Sequence, residues 1–260
     1  IIRGDDHFNN SFRQIQIIKY LKWPQPIYAH IPLIHGNDGT KLSKRHGAKN
    51  LLEYEKIGYE PICLNNYLFR LGYSINNDKI YNFETDKVDF QLNKINKAPS
   101  RFDEKKLINV NSNYLKQSSP TLILSKILKK YQLNDNDDIK RISNLLPDLL
   151  KRYKTLNEIE DDLDWLTGKH KIKDKNILLQ LSLEKNKVIL KEIVNLLISC
   201  EWEINIIKTC INNYLNNTNR QMSDVAPIIR MAITGKTNAP DIVNILFHLG
   251  KKECLNRLQA

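Results

Sequence analysis

From about residue 50 to its end, the chain repeats one pattern: apolar residues at helical spacing, with Pro at first turns and Gly at stops. Asn50 to Ile57 stops at Gly58, and Pro61 to Leu71 stops at Gly72. A short helix is expected over Asp86 to Leu92 and a longer one over Asp103 to Leu115, with Ser100 and Asp103 as cap candidates. Ser119-Pro120 reads as an N-cap and first helical position. Periodic segments follow at 120–131, 137–150, 155–167, 174–180, 184–199, 203–216, 223–234 and 240–258. No alternating strand pattern stands after residue 120, so this part must bury its apolar stripes helix against helix. The Asn-rich 134–138 segment reads as a polar loop, and no repeat of solenoid period is present.

The first fifty residues differ. Ile1-Ile2 reads as a buried strand end stopping at Gly4. Ser11 with Gln14 reads as a capping box for a helix to about Lys22, with Phe12, Ile15, Ile18 and Leu21 on one face. Pro24 and Pro26 end that helix, and Ile27 to Ile34 is a β-branched, aromatic run suited to a strand. Strand, helix, strand and then a polar loop is the pattern of the edge of an open nucleotide-binding α/β sheet.

That loop, residues 36–47, carries the densest chemistry. A turn-forming Asn37-Asp-Gly39 precedes K-L-S-K-R at Lys41 to Arg45. Lys41 and Lys44, three positions apart beside glycines, can close over a polyphosphate and neutralise charge that develops as pyrophosphate leaves. The Ser43 hydroxyl and the Arg45 fork add phosphate donors. A basic pentamer in a Lys-rich chain is more often a solvated loop, so its surroundings decide the reading.

Composition sets the bounds. The 260 residues suffice for two or three modules, and a formal net charge of +11 favours a polyanionic partner. Cys63, Cys200, Cys210 and Cys254 are scattered without C-x-x-C or Cys/His ligand spacing, so protein-bound zinc and disulfides are not expected. No apolar run approaches the ~20 residues of a membrane span and no signal peptide is visible, which predicts a cytoplasmic, membrane-free chain.

Around the loop lie Ile2-Arg-Gly-Asp-Asp-His7, Asn10-Ser-Phe-Arg-Gln14 and Ala29-His-Ile-Pro-Leu-Ile34. After it come Leu51-Leu-Glu-Tyr54, Gly58-Tyr-Glu-Pro61, Leu64-Asn-Asn-Tyr-Leu68, Ala98-Pro-Ser-Arg-Phe-Asp103, Ala226-Pro-Ile-Ile-Arg-Met-Ala-Ile-Thr-Gly235 and Leu249-Gly-Lys-Lys252. This ordered series resembles the bacterial glutamyl-tRNA synthetases, with K-L-S-K-R as a KMSKS-type signature. The match is strong at both ends and weak across roughly 120–220.

The resemblance implies a mainly α chain: the C-terminal edge of a Rossmann-type α/β catalytic domain (1–50), a helical stem-contact domain (51–118) and an all-α anticodon-binding region (119–260). The last is expected to be two subdomains divided near 175–183. Glutaminyl enzymes, which share the catalytic half, read the anticodon with β-barrels, so helices throughout favour the glutamyl type. The signature H-x-G-H of the family's nucleotide-binding half is not here. His30 and His35 in H-I-P-L-I-H-G have the wrong spacing, and the segment is expected to be the C-terminal part of a chain about twice as long.

By resemblance, Arg3 binds the glutamate carboxylate, a task suited to a bidentate fork. Read from the residues alone, it pairs Asp5 or Asp6. Asp6 and His7 match positions lining the ATP pocket, and Lys41, Leu42, Ser43, Lys44 and Arg45 match the nucleotide loop, with Lys41 and Lys44 catalytic. Asp5 and Asp6, adjacent on a strand, would point to opposite faces and so make a poor metal site. The implied substrates are ATP with Mg2+, glutamate and tRNA-Glu, with tRNA-Gln added in an enzyme of dual specificity, and the protein is expected to be a monomer. The alternative is a non-catalytic tRNA-binding module. Basic candidates for RNA are Lys140, Arg141, Lys151, Arg152, Lys154, Arg220, Arg230, Lys251 and Lys252, with Tyr153 beside them; Trp165 and Trp202 read as core.

Overall fold

The computed structural model describes residues 1–43, 49–75, 77, 79–167 and 171–259, and divides into two compact units. Unit 1 comprises Ile1–Tyr114 with Lys154–Leu156; unit 2 comprises Leu115–Tyr153 and Asn157–Ala260.

In unit 1, strand β1 (Ile2–Gly4) pairs in parallel with β2 (Ala29–Ile31), in the register Ile2↔Ala29, Arg3↔His30, Gly4↔Ile31. Helix α1 (Phe8–Tyr20) makes the crossover that a parallel pair requires. The expected capping box at Ser11 and Gln14 does not form. The chain enters α1 through a 3-10 turn at Asp5–His7, which starts the helix at Phe8 and leaves Ser11 buried on its inner face. There the Ser11 hydroxyl serves Arg3 and His30 instead of the helix end.

The helical part of unit 1 follows its punctuation. In α2 (Leu51–Ile57) the Asn50 side chain accepts from Glu53 N while Glu53 accepts from Asn50 N, and Gly58 closes the helix at φ 91°. α3 (Pro61–Gly72) opens on its proline. The expected helix over 86–92 is absent: Asp86 caps a turn by accepting from Asn82 N, and an extended run leads to a 3-10 turn at Leu92–Lys94. α4 (Glu104–Gln117) starts where the Asp103 carboxylate accepts from Lys105 and Lys106 amides. Tyr54, Tyr59, Leu64, Tyr67 and Leu107 form the core here, flanked by Leu71, Phe102 and Ile108.

Unit 2 is helix on helix. Its elements are α5 (Pro120–Tyr131), α6 (Asn136–Leu150), α7 (Glu160–Leu166), α8 (Lys175–Ser182), α9 (Glu184–Ser199), α10 (Ile204–Thr218), α11 (Met222–Thr234), α12 (Ile242–Leu249) and α13 (Lys251–Gln259). A 3-10 turn at Leu156–Ile159 leads into α7, where one helix over 155–167 was expected. Likewise 240–258 is two helices, because Gly250 takes φ 87°, a conformation costly for any residue with a Cβ. Ile142, Leu145 and Leu146 of α6, Ile193 and Leu197 of α9, Ile207 and Ile211 of α10 and Ile245 of α12 are fully buried, so the apolar stripes of these helices face inward. In unit 1 the stripe expected on α1 does not, with Phe12 and Leu21 exposed, and Ile1 and Ile2, expected as a buried strand end, are exposed too.

Candidate active site

Arg3 stands on β1, cross-strand from His30 of β2. Its Nε donates to His30 Nε2 at 3.1 Å, its Nη1 to Gln14 Oε1 at 2.8 Å, and its Nη2 to the Ser11 hydroxyl. The guanidinium also lies 4.9 Å from the Tyr28 ring centroid. Neither Asp5 nor Asp6 forms its ion pair, contrary to the reading from residues alone. A guanidinium has five N–H donors. Three are given to these side chains, which leaves one on each terminal nitrogen, the number a bidentate carboxylate takes.

Asp6 and Lys41, remote in sequence, meet directly: Lys41 Nζ lies 2.7 Å from Asp6 Oδ2. That ammonium hydrogen bond holds the Asp6 carboxyl below the usual carboxylate range. The depressed pKa means the pair persists through neutral pH and breaks only as pH falls through the acid range. His7 sits beside it, its Nε2 4.0 Å from Asp6 Oδ1 and its Nδ1 accepting from Asn10. The backbone reaches Lys41 through a tight turn: Gly36 N donates to Thr40 O, Gly39 N to Gly36 O, and the Asp38 carboxylate takes both the amide and hydroxyl of Thr40. Leu42 N then donates to Ile34 O at 2.9 Å, tying the loop back to the stretch that follows β2, which ends at Ile31 and not at Ile34 as expected. Ser43 follows. Lys44 and Arg45, the other half of the basic motif, lie outside the described residues.

Unit 2 spends much of its basic charge on structure. Arg141 pairs with Asp138, Lys151 with Asp148, and Arg220 with Glu192. Arg152 donates to Ala239 O at 2.7 Å, and Lys251 to the carbonyls of Ile198 and Cys200. Tyr153, offered as a neighbour for bases, is buried with its hydroxyl on Asp162. Trp165 is core as expected. Arg230 differs: it lines a cavity of about 350 Å³ with Lys208, Asn212 and Asp241, and its Nε is buried without a hydrogen-bond partner among the described residues. Burial pushes its guanidinium below the usual range, with Arg152 adding repulsion.

Sequence reading missed His30 and Ser11 as parts of the Arg3 site. The signal in reach was the parallel register that β1 and β2 would adopt, which sets Arg3 opposite His30.

Comparisons with known proteins fall on the same regions. Residues 1–109 match the family of class I tRNA synthetases (E and Q), catalytic domain, and residues 94–260 match the anticodon binding domain family. Glutamate--tRNA ligase 2 of Wolbachia pipientis subsp. Culex pipiens is 39% identical over 263 residues, covering 100% of this chain and 57% of that protein. Glutamate--tRNA ligase 1 of Bartonella bacilliformis is 37% identical over 269 residues, covering 99% and 56%. A crystal structure of a glutamate tRNA ligase from Elizabethkingia meningosepticum in complex with its amino acid shares the fold, with TM-score 0.78 at 23% identity over 99% of this chain and 55% of that one. The chain thus spans about half the length of the curated relatives it matches.

Proposed function

We propose that this chain, which belongs to the glutamate–tRNA ligase family of class I synthetases, takes part in the ATP-dependent attachment of glutamate to tRNA-Glu. The observation that carries the reading is the Arg3 fork, held by three side chains with two N–H left for a carboxylate. Glutamate, gripped there, presents its other carboxylate to the α-phosphate of ATP. Attack forms glutamyl-adenylate and expels pyrophosphate. The terminal ribose hydroxyl of the tRNA then takes the glutamyl group and AMP leaves. The enzyme forms no covalent bond of its own, so positioning and charge neutralisation supply the catalysis.

For ATP, we assign Asp6 and His7 to the nucleoside side and Lys41, Leu42, Ser43, Lys44 and Arg45 to the phosphates, with Lys41 and Lys44 catalytic. The Asp6–Lys41 contact supports this grouping, because it brings two residues of the set within one ion pair. Mg2+ accompanies ATP as part of the substrate. Residues 1–50 would then end the catalytic domain, 51–118 contact the acceptor stem, and 119–260 bind the anticodon arm, in a cytoplasmic monomer; tRNA-Gln is a further substrate if the enzyme is of the dual-specificity kind. Among the described residues no helix is long and apolar enough to cross a membrane.

The test is glutamate-dependent ATP–pyrophosphate exchange by the complete protein, with tRNA-Glu present. Exchange that glutamate does not stimulate contradicts the reading. In the same assay Arg3→Lys should raise the KM for glutamate by about tenfold or more, the scale of a lost charge-assisted hydrogen bond, and leave the KM for ATP nearly unchanged. An unchanged KM for glutamate would make Arg3 structural.

A further inference from the structure

We propose that His30 is the positioning residue for Arg3, and this rests on Arg3 being the glutamate-binding residue. A guanidinium can only donate, so the 3.1 Å contact from Arg3 Nε requires a lone pair on His30 Nε2. The same nitrogen lies 3.2 Å from the Ser11 hydroxyl, which in turn accepts from Arg3 Nη2. Arg3, Ser11 and His30 therefore close a ring of three contacts drawn from β1, α1 and β2, with Ser11 its buried member. Arg3 donates to both partners, and the single lone pair on His30 Nε2 is shared between Arg3 Nε at 3.1 Å and the Ser11 hydroxyl at 3.2 Å. With that lone pair on Nε2, the ring carries its proton on Nδ1.

The imidazole is itself held in place. Phe8 meets it edge-on at 5.2 Å between ring centroids, and Tyr28 stacks with it at 6.3 Å. Tyr28 also carries the Arg3 guanidinium over its face. His30 thereby fixes the Nε edge of Arg3, which aims the two spare N–H groups. Without the acceptor, the fork keeps Gln14 and Ser11 but loses the contact that fixes its Nε edge, and each glutamate must order that edge on binding.

The experiment compares His30→Phe with His30→Gln in the complete protein, by ATP–pyrophosphate exchange at saturating tRNA-Glu. His30→Phe keeps an aromatic ring and removes the acceptor; the KM for glutamate should rise about tenfold, with the KM for ATP and kcat within about twofold. His30→Gln returns an acceptor and should recover most of the loss. An unchanged KM for glutamate in His30→Phe overturns the proposal. So does an equal loss in every parameter that Gln fails to rescue, since that is the mark of a merely structural residue. On the wild-type protein, 15N spectra of labelled histidine should show His30 Nε2 as the unprotonated nitrogen, and a protonated Nε2 overturns the proposal without any variant. A wild type that shows no glutamate-dependent exchange would remove the activity and this inference together, whereas active wild type with indifferent His30→Phe removes the inference alone.

Discussion

Replacing Lys44 by Ala should lower the rate of adenylate formation by about 10²- to 10³-fold, the loss typical of one transition-state donor. The KM for glutamate should barely move, because Lys44 is assigned to the phosphates. Lys41→Ala should cost distinctly less. Its ammonium already rests on Asp6 at 2.7 Å, so part of its charge is spent before ATP arrives. The two variants thus predict an order as well as a size, read from single-turnover exchange with tRNA-Glu present. Equal losses, or near wild-type turnover in Lys44→Ala, would remove the division of labour proposed for K-L-S-K-R.

A second large effect should come from the interior of unit 2. Asp162 is only 7% exposed and accepts from Tyr153 Oη at 2.7 Å, Trp165 Nε1 at 2.9 Å and Lys236 Nζ at 2.6 Å. Its proximity, after burial itself, pushes the Tyr153 hydroxyl well above the usual phenol range. Asp162→Ala leaves three buried or half-buried donors without their acceptor. The expected cost is about 3 kcal/mol, the lower end for a broken buried pair, because Lys236 keeps partial access to water. In urea the midpoint should fall at nearly constant slope. A change below about 0.5 kcal/mol would show that the cluster re-pairs or hydrates without it.

The helical frame was readable because its signals are local. Asn50 with Glu53, Pro61, Gly58 and Asp103 each act on their own neighbours, and each ends or begins a helix where the chain pattern placed it. One error came where tertiary structure outbid a local rule, and two where local signals were misread. Ser11 and Gln14 fit a capping box, yet both side chains go to Arg3 across the β1–β2 pair. The Gly250 stop was visible but was overridden by apolar periodicity that continued on both sides of it. Asp86 looked like a helix start and instead caps a turn with Asn82. Within the candidate site, Arg3, Asp6 and Lys41 were found by motif order, and the structure joins the last two. His30 was passed over because its meaning depends on a residue 27 positions away. Asp162 depends on Lys236, 74 positions away. No periodicity carries such pairings; the register of a strand and the packing of helices create them.

The most direct measurement is aminoacylation by the complete protein, with labelled glutamate, ATP, and either tRNA-Glu or an unrelated tRNA. The account predicts glutamyl-tRNA-Glu formation that requires ATP and is lost in step with Arg3→Lys and Lys44→Ala. Charging of tRNA-Gln alongside it would mark dual specificity and leave the account intact. Tight binding of tRNA-Glu with no glutamyl transfer would contradict it, and would make the chain a tRNA-binding module whose Arg3 fork holds no substrate.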